Sequence, residues 1–257
     1  GVITALNEEA VAGAALGNKG GLNLIVSYEA FAMKMLGAVR QEIIFARRQR
    51  EIGQPPRWIG IPLIATSHTW ENAKNEQSHQ DPTLAEALLG EMSETSRVLF
   101  PVDGNSAVEA LRELYRNRGQ IGCLVVPKRP VPQVLSAAQA QASLRQGAIH
   151  ILGEPDACDV QLVAIGAYQL QEALKAAERM VGRRETVCVT AVVEPGRLRD
   201  PRDDLEAEFV GPSPCSGSCA DWTADEAPRA PAATSAAAGP WTCPACCSPT
   251  VAPGRTS

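Results

Sequence analysis

The sequence predicts an α/β fold with a mainly parallel sheet. Over the first 209 residues, short apolar runs alternate with longer segments whose apolar residues recur at helical spacing. Strands that alternate with helices in this way favour parallel pairing, because each helix carries the chain back to the same end of the sheet. The predicted strands are 22–26, 61–65, 97–100, 121–126, 160–165 and 186–193, and the predicted helices are 28–52, 105–118 and 168–181.

The first elements are the most clearly bounded. Residues 22–26 (LNLIV) form an apolar run typical of a buried strand, and helix 28–52 ends where Gly53 is followed by two prolines. Strand 61–65 leads into a polar segment, 67–81, that is predicted to be a loop. A loop at the carboxyl end of a sheet strand is where open α/β folds bind ligands.

The rest of the chain divides by composition. Strand 97–100 and helix 105–118, which Gly119 ends, are followed by strand 121–126. Residues 128–155 are rich in proline, alanine and glutamine and indicate an interdomain linker. The remaining strands and helix start a second α/β unit. Beyond about Val210 no hydrophobic period remains, so that disorder is expected. The predicted divisions are 1–130, a linker at 131–158, 159–209, and a tail at 210–257.

Composition limits the function classes. A net charge of -5 disfavours nucleic acid and anionic membrane as partners. No apolar run reaches the ~20 residues that a membrane helix needs. The first residues show no secretory signal, so a cytoplasmic location is expected. They also lack an initiator methionine, from which we expect the chain to begin within a longer gene product.

The polar segment holds two of the three histidines, His68 and His79, among amide, carboxylate and hydroxyl side chains. Histidine, lysine and asparagine donate hydrogen bonds to oxyanions, and histidine transfers protons near neutral pH. The segment therefore suits a phosphate-rich substrate, although its composition alone equally allows an ordinary polar surface loop.

The order of residues in this segment resembles the phosphoketolase family, whose members carry Ser-His-x-Trp running into Ser-His-Gln-Asp-Pro. Here residues 67–70 read SHTW and residues 78–82 read SHQDP. Residues 26–31 (VSYEAF), residues 100–103 (FPVD) and Lys128 resemble the same family in the same order, within a resemblance that covers residues 3–209. It implies a transketolase-like thiamine diphosphate-binding fold, with 1–130 as the pyrimidine-binding domain and 159–209 as the start of a C-terminal α/β domain.

The resemblance also implies which residues hold the cofactor. The family's glutamate, which hydrogen-bonds the aminopyrimidine ring and so helps to create the nucleophilic carbon, matches Glu8 rather than Glu9. Gly13 and Gly17 keep the glycine spacing that follows it. Tyr28 and Phe31 match the pocket wall, with Phe31 as the stacking partner. The alternatives are solvated helix charges for the glutamates and ordinary core aromatics for the pair.

Four further positions match the family's substrate site: Asn72 and Asn75, His79 and Lys128. The first three match positions around the reacting carbons and the inorganic phosphate, with His79 as the acid–base residue. Lys128 matches a lysine that grips the sugar phosphate, a role that suits a compact ammonium group. His68 has no assigned role, and Glu29 is expected only to begin a helix, where a carboxylate is favoured in any case.

The implied reaction cleaves xylulose 5-phosphate or fructose 6-phosphate with inorganic phosphate to acetyl phosphate and an aldose phosphate. Thiamine diphosphate and Mg²⁺ are the implied cofactors, in a homodimer. The family binds Mg²⁺ and the diphosphate through a Gly-Asp-Gly segment, which this sequence lacks. We therefore expect no metal ligands here and a fragment that is inactive alone. The alternatives are transketolase-like two-carbon transfer and a non-catalytic remnant.

The eight cysteines form two groups. Cys123, Cys158 and Cys188 occur singly in predicted strands or beside them, and five lie in the tail. Cys243 and Cys246 have zinc-knuckle spacing, but the tail offers no histidine. Residues 239–249, read one nucleotide earlier, can encode a segment that resembles the family's C-terminal domain. The tail is therefore predicted to be an out-of-frame translation.

Overall fold

The computed structural model describes residues 1–5, 7–66, 81–181 and 185–198. A four-stranded sheet is built from β1 (Ile25–Tyr28), β2 (Ile61–Thr66), β3 (Ser96–Leu99) and β4 (Ile121–Val125), in the order β1-β2-β4-β3. All three pairings are parallel. The prediction of a mainly parallel α/β fold is therefore confirmed, and all four carboxyl ends meet at one edge of the sheet.

Five helices accompany this sheet: α1 (Glu8–Gly17), α2 (Glu29–Ala32), α3 (Leu36–Glu51), α4 (Thr83–Leu89) and α5 (Gly104–Arg116). The predicted helix 28–52 is divided, since a 3₁₀ turn at Met33–Met35 separates α2 from α3. The sequence did not reveal α1, because its alanines and glycines give little contrast between its two faces. Its buried side chains are only Ala12 and Leu16.

Both faces of the sheet are covered. Ile25, Leu63 and Cys123 face one core, into which α1, α3 and α4 pack with small or aliphatic side chains. Leu99 and Leu124 face the other core, which α5 closes with Leu114. Burial on both faces explains why β2 and β4 are near-continuous apolar runs rather than alternating ones.

A second sheet contains β5 (Ala148–Leu152), β6 (Val160–Ile165) and β7 (Val187–Val192), in the order β5-β7-β6. Strands β6 and β7 are parallel, whereas β5 is antiparallel to β7. Helices α6 (Ala137–Gln146) and α7 (Ala167–Val181) contribute to the hydrophobic core beneath it. Single 3₁₀ turns stand at Pro155–Ala157 and Pro195–Leu198.

The linker expected at 131–158 differs from what is observed, because α6 and β5 lie within it. Ser136 and Gln139 form a capping box that starts α6, and Gly147, at φ +83°, ends it. Alanine and glutamine are good helix formers, so the composition that indicated a linker is also that of a helix. The predicted division into domains stays a prediction.

Buried hydrogen bonds of Arg97 and Asp103 join the first sheet to segments that follow and precede the second. Two nitrogens of the Arg97 guanidinium donate to the Glu194 carboxylate, Nε to Oε1 at 2.7 Å and Nη2 to Oε2 at 2.6 Å. Asp103 caps α5 with Oδ1, which accepts from Ser106 N at 2.8 Å. Its Oδ2 accepts from Leu135 N at 2.6 Å. The FPVD segment thus holds a structural aspartate.

Several sequence predictions fall outside the described residues: the roles of His68, Asn72, Asn75 and His79, and both interpretations of the cysteine-rich tail. Within the ranges given above, no helix is long and apolar enough to cross a membrane. The same ranges contain no group of three or more His, Cys, Asp or Glu side chains arranged to hold a metal ion.

Candidate active site

The first site residue is Glu8, which begins α1. Asn7 caps the helix, since its side-chain oxygen accepts from Glu9 N at 2.8 Å and from Ala10 N at 3.4 Å. This cap leaves Glu8 in the first turn, where the helix dipole favours a carboxylate. Glu9 is exposed, whereas Glu8 is half-buried. The fold therefore separates two glutamates that the sequence places side by side.

The Oε2 atom of Glu8 is buried and has no hydrogen-bond partner among the described residues. Among the described residues, the cation nearest to this oxygen is Lys34 Nζ, 3.7 Å away, on a side chain that is 62% exposed. A buried carboxylate oxygen without a hydrogen bond is costly, and such an oxygen is typical of a group that awaits a ligand. Glu8 thus presents an open acceptor in a sheltered position.

Two aromatic rings stand at the carboxyl end of β1. Tyr28 is the last residue of that strand and Phe31 lies in α2, which begins at the next residue. Their ring centroids are 5.9 Å apart with the planes at 87°, an edge-to-face pair. Tyr28 is 41% exposed and Phe31 is half-buried, so both rings offer surface beyond the core.

Two lysines stand over these rings. Lys34 Nζ lies 5.4 Å from the Phe31 centroid, and Lys128 Nζ lies 3.7 Å from the Tyr28 centroid. Both distances are within the range of a cation–π interaction. Lys128 follows β4, and its approach to Tyr28 results from parallel pairing, which brings the ends of β1, β2 and β4 to one edge.

The segment with His68, Asn72, Asn75 and His79 begins directly after β2. Thr66, the last described residue before it, is the register partner of Tyr28, and its hydroxyl donates to Ser27 O at 3.2 Å. Strand β2 stands between β1 and β4 in the sheet. The chain therefore enters this segment between the strand that carries Tyr28 and the strand that leads to Lys128.

Glu29 and Cys123 are two buried residues whose electrostatic interaction bears on the thiol. Glu29 begins α2, as the sequence predicts, and is buried. Burial, together with the nearby Glu29 charge, raises the pKa of the Cys123 thiol to about 12. Cys123 is therefore a protonated core residue at neutral pH and not a nucleophile.

The structure thus brings Glu8 and Phe31 together through Lys34, and Phe31 lies against Tyr28, which Lys128 contacts. The sequence reasoning predicted Lys128 but missed Lys34. Lys34 follows Phe31 by three residues, and side chains at this spacing lie on one face of a helix. That spacing was the signal that could have found it. The roles predicted for the site residues stay predictions.

Comparison with known proteins decides the family. The D-xylulose 5-phosphate/D-fructose 6-phosphate phosphoketolases match residues 1–117. This part of the chain belongs to the phosphoketolase family. The resemblance predicted from the motifs is thereby confirmed, over a range that includes Glu8, Tyr28, Phe31 and the histidine segment.

Two curated phosphoketolase relatives extend the match. A probable phosphoketolase from Streptomyces avermitilis is 31% identical over 160 residues, which are 60% of this chain and 20% of that protein. One from Mycobacterium avium is 30% identical over 185 residues, or 67% of this chain and 22% of that protein. The chain spans about a fifth of the length of these relatives.

Solved structures confirm a transketolase-like fold. A transketolase from Leishmania mexicana has a TM-score of 0.59 at 21% identity, over 73% of this chain and 26% of that one. A transketolase variant from Pichia stipitis has a TM-score of 0.60 at 18% identity over the same shares. At these identities the likeness concerns the fold alone.

Proposed function

We propose that this chain supplies the pyrimidine side of the active site of a thiamine diphosphate-dependent phosphoketolase. The proposed reaction cleaves xylulose 5-phosphate or fructose 6-phosphate with inorganic phosphate to acetyl phosphate and an aldose phosphate. The observation that carries the proposal is Glu8 Oε2, a buried acceptor with no hydrogen bond in the described part of the chain. It belongs to the residue that the motif resemblance proposes as the cofactor's glutamate.

The residues present fit an aminopyrimidine ring. Such a ring needs a carboxylate at one nitrogen and an aromatic wall, and here Glu8 and Phe31 are linked by the one ammonium group of Lys34, which approaches both. Glu8 Oε2, which has no hydrogen bond in the described part of the chain, can accept a proton from the ring nitrogen. It can also accept a hydrogen bond that keeps the proton on that nitrogen. A half-buried carboxylate does this better than an exposed one such as Glu9, because water competes less for it.

Thiamine diphosphate, when bound, supplies the carbanion chemistry that breaks the carbon–carbon bond. The chain's own residues bind, orient and move protons. Phe31 and Tyr28 would present apolar surface to the ring and keep water from it. Lys128, held over Tyr28, would attract the sugar phosphate. We further propose His79 as the acid–base residue, with Asn72 and Asn75 as hydrogen-bond donors to substrate and phosphate.

The proposal places Mg²⁺ and the diphosphate on a Gly-Asp-Gly segment that this sequence does not contain, in a homodimeric enzyme. Accordingly we propose that the purified chain, given thiamine diphosphate, Mg²⁺, sugar phosphate and inorganic phosphate, forms no acetyl phosphate. Formation of acetyl phosphate would overturn this part. Transfer of the two-carbon unit to an aldose acceptor would instead favour a transketolase-like activity.

Binding gives the direct test. Titration of the purified full chain with thiamine diphosphate, followed by calorimetry, should detect binding that Glu8→Gln weakens by about tenfold or more, since a charge-assisted hydrogen bond is lost. Glu9→Gln is the matched control and should leave the affinity unchanged. Equal effects of the two substitutions would contradict the assignment of Glu8.

A further inference from the structure

One buried carboxylate holds together two parts of the chain that are far apart in the sequence. Asp103 is 3% exposed, and its Oδ1 accepts from Ser106 N at 2.8 Å at the start of α5. Its Oδ2 accepts from Val134 N at 2.9 Å and from Leu135 N at 2.6 Å. The Asn105 side chain donates to Leu135 O at 2.7 Å. Residues 134–135 are therefore anchored to the start of α5.

The segment that leads to this anchor begins at the candidate active site. Just after β4, Val126 N donates to Ala65 O at 3.0 Å, which fixes the chain to the sheet. Residues 127–132 (PKRPVP) then connect the sheet with the anchor, and they are neither helix nor strand. Lys128, whose Nζ lies 3.7 Å from the Tyr28 centroid, is the second of these six residues.

The composition of this connection makes it stiff. Its prolines, whose rings fix the φ angle, are Pro127, Pro130 and Pro132. Arg129 and Val131 each precede a proline, which restricts their backbone to extended conformations. Lys128 is thus the one residue of the six that neither is a proline nor precedes one. If the chain were tied at Val126 alone it could turn at Lys128, whereas ties at both ends fix its course there.

We propose that Asp103 is a positioning residue that holds Lys128 over the ring of Tyr28. The carboxylate fixes one end of a stiff segment and the sheet fixes the other, so that the lysine is confined to a narrow region above the ring. The inference rests on the proposed function in one respect, which is that Lys128 attracts the sugar phosphate. An ammonium group that is already held in place loses less conformational entropy when it binds a phosphate. Asp103 thereby raises the affinity for the substrate without touching it.

Nuclear magnetic resonance on the full chain tests the position of Lys128 directly. The chain has five lysines, so that ¹³C-labelled lysine gives five ε-methylene signals, and Lys128→Arg identifies the signal of Lys128 by its loss. The ring current of Tyr28 should move this signal upfield, and Tyr28→Leu should abolish the shift. Asp103→Asn should reduce the shift by about half or more, because an amide has one acceptor oxygen where the carboxylate uses two.

Ser106→Ala is the matched control. It removes the other half of the capping box, in which Ser106 Oγ accepts from Val102 N at 2.9 Å and from Asp103 N at 3.0 Å. It leaves Asp103 Oδ2 and its backbone donors in place. The control should lower the Tm, because a helix cap is weakened, and yet leave the Lys128 signal unchanged.

A second variant softens the connection instead of the anchor. Pro130 and Pro132 are exposed, so replacing both by glycine should leave the fold intact and still reduce the upfield shift of Lys128. This variant decides the question even where Asp103→Asn does not fold. The proposal is overturned if the Lys128 signal of the unsubstituted chain is not shifted upfield, or if a folded variant of either kind leaves the shift in place. An equal response to Ser106→Ala and to Asp103→Asn would overturn it as well.

Titration with fructose 6-phosphate separates this inference from the proposed function. The Lys128 signal of the unsubstituted chain should move on titration, and the Asp103→Asn chain should need a concentration about threefold higher for the same response. A signal that depends on Asp103 but does not respond to fructose 6-phosphate would support the positioning of Lys128. The same result would overturn the phosphate-binding role proposed for this lysine.

Discussion

Lys34 Nζ lies 3.7 Å from Glu8 Oε2, and it is the cation nearest to this buried carboxylate oxygen in the described part of the chain. The same nitrogen lies 5.4 Å from the centroid of Phe31. Lys34 is thus the link between the proposed acceptor for the pyrimidine ring and the proposed wall beside it. Any group that binds Glu8 through Oε2 must compete with this lysine.

The first prediction follows from that competition. Lys34→Met should increase the affinity of the chain for the aminopyrimidine moiety of thiamine by about twofold to threefold, because a largely exposed ion pair worth about 0.5 kcal/mol no longer has to break. Calorimetric titration measures this change. Lys19→Met is the matched control, since Lys19 pairs with Glu42 at 2.8 Å instead. Weaker binding by Lys34→Met would show that the lysine helps to hold the ring.

A second prediction concerns the buried pair between Arg97 and Glu194, whose side chains are each 2% exposed. Burial lowers the pKa of Arg97, but the charge and hydrogen bonds of Glu194 outweigh burial, so that the pKa is raised and the guanidinium stays charged. Glu194→Ala leaves that charge buried without its main partner and should lower the free energy of unfolding by about 3–5 kcal/mol.

Denaturant unfolding measures the cost, and two comparisons interpret it. Replacing both residues, Arg97→Met with Glu194→Leu, should restore most of the stability, because no buried charge remains. Glu172→Ala, which removes an exposed partner of Lys175, should change the free energy of unfolding by less than about 0.5 kcal/mol. A loss for Glu194→Ala as small as this control's would contradict the prediction.

The third prediction is a dependence of stability on alkaline pH. The Cys123 thiol ionises near 9.0 when unfolded, whereas burial raises its pKa in the fold to about 12. Between these values the unfolded chain holds fewer protons than the folded chain, so the free energy of unfolding falls as pH rises. One thiol contributes a slope of about 1.4 kcal/mol per pH unit.

Cys123→Ala should remove this contribution. Under reducing conditions, the variant's free energy of unfolding should fall less steeply than that of the unsubstituted chain between pH 9 and pH 11, whatever its stability at neutral pH. Comparison of the two slopes cancels the other groups that titrate in this range. Parallel slopes would mean that Cys123 ionises in the folded chain as readily as in the unfolded one.

A fourth prediction contrasts two glycines. A Cβ at Gly60 would lie 2.2 Å from the backbone oxygen of Leu114, which cannot move without displacing α5. Gly60→Ala should therefore destabilise the chain by about 3 kcal/mol. Gly13 is exposed in the middle of α1 with nothing within 4 Å of an added Cβ, so Gly13→Ala should stabilise by about 0.5–1 kcal/mol. Thermal unfolding checks both signs, and equal signs would refute the contrast.

The positions of most strands and their parallel direction could be predicted from chain patterns, whereas the order of the strands in the sheet was not predicted. The apolar runs identified β2, β3, β4, β6 and β7, and their alternation with helices predicted parallel pairing. The run 22–26 was displaced by a few residues from β1, because Leu22 and Leu24 are exposed rather than buried. Helix α6 and strand β5 were predicted to be a linker, because the segment is rich in proline and glutamine. The structure shows that Ser136 caps the start of α6 and Gly147 caps its end.

For the candidate site, the sequence motifs indicated which residues to consider. They did not indicate which of these residues lie close together in space. The motifs singled out Glu8, Tyr28, Phe31 and Lys128, and parallel strands implied that the ends of β1 and β4 share an edge. Nothing in the sequence indicated that Glu8 is half-buried and Glu9 exposed. The contact of Lys34 with Glu8 was also not foreseeable, because it depends on the packing of α1 against the turn before α3.

The sequence by itself determined the α/β class, the phosphoketolase resemblance and the identity of the candidate site residues, because these depend on local order along the chain. Only the tertiary structure decided which atoms face each other. It left Glu8 Oε2 without a hydrogen bond in the described residues and placed Lys128 over Tyr28. The physical reason is that such contacts join residues distant in the chain, and packing of helices against sheets sets their separation.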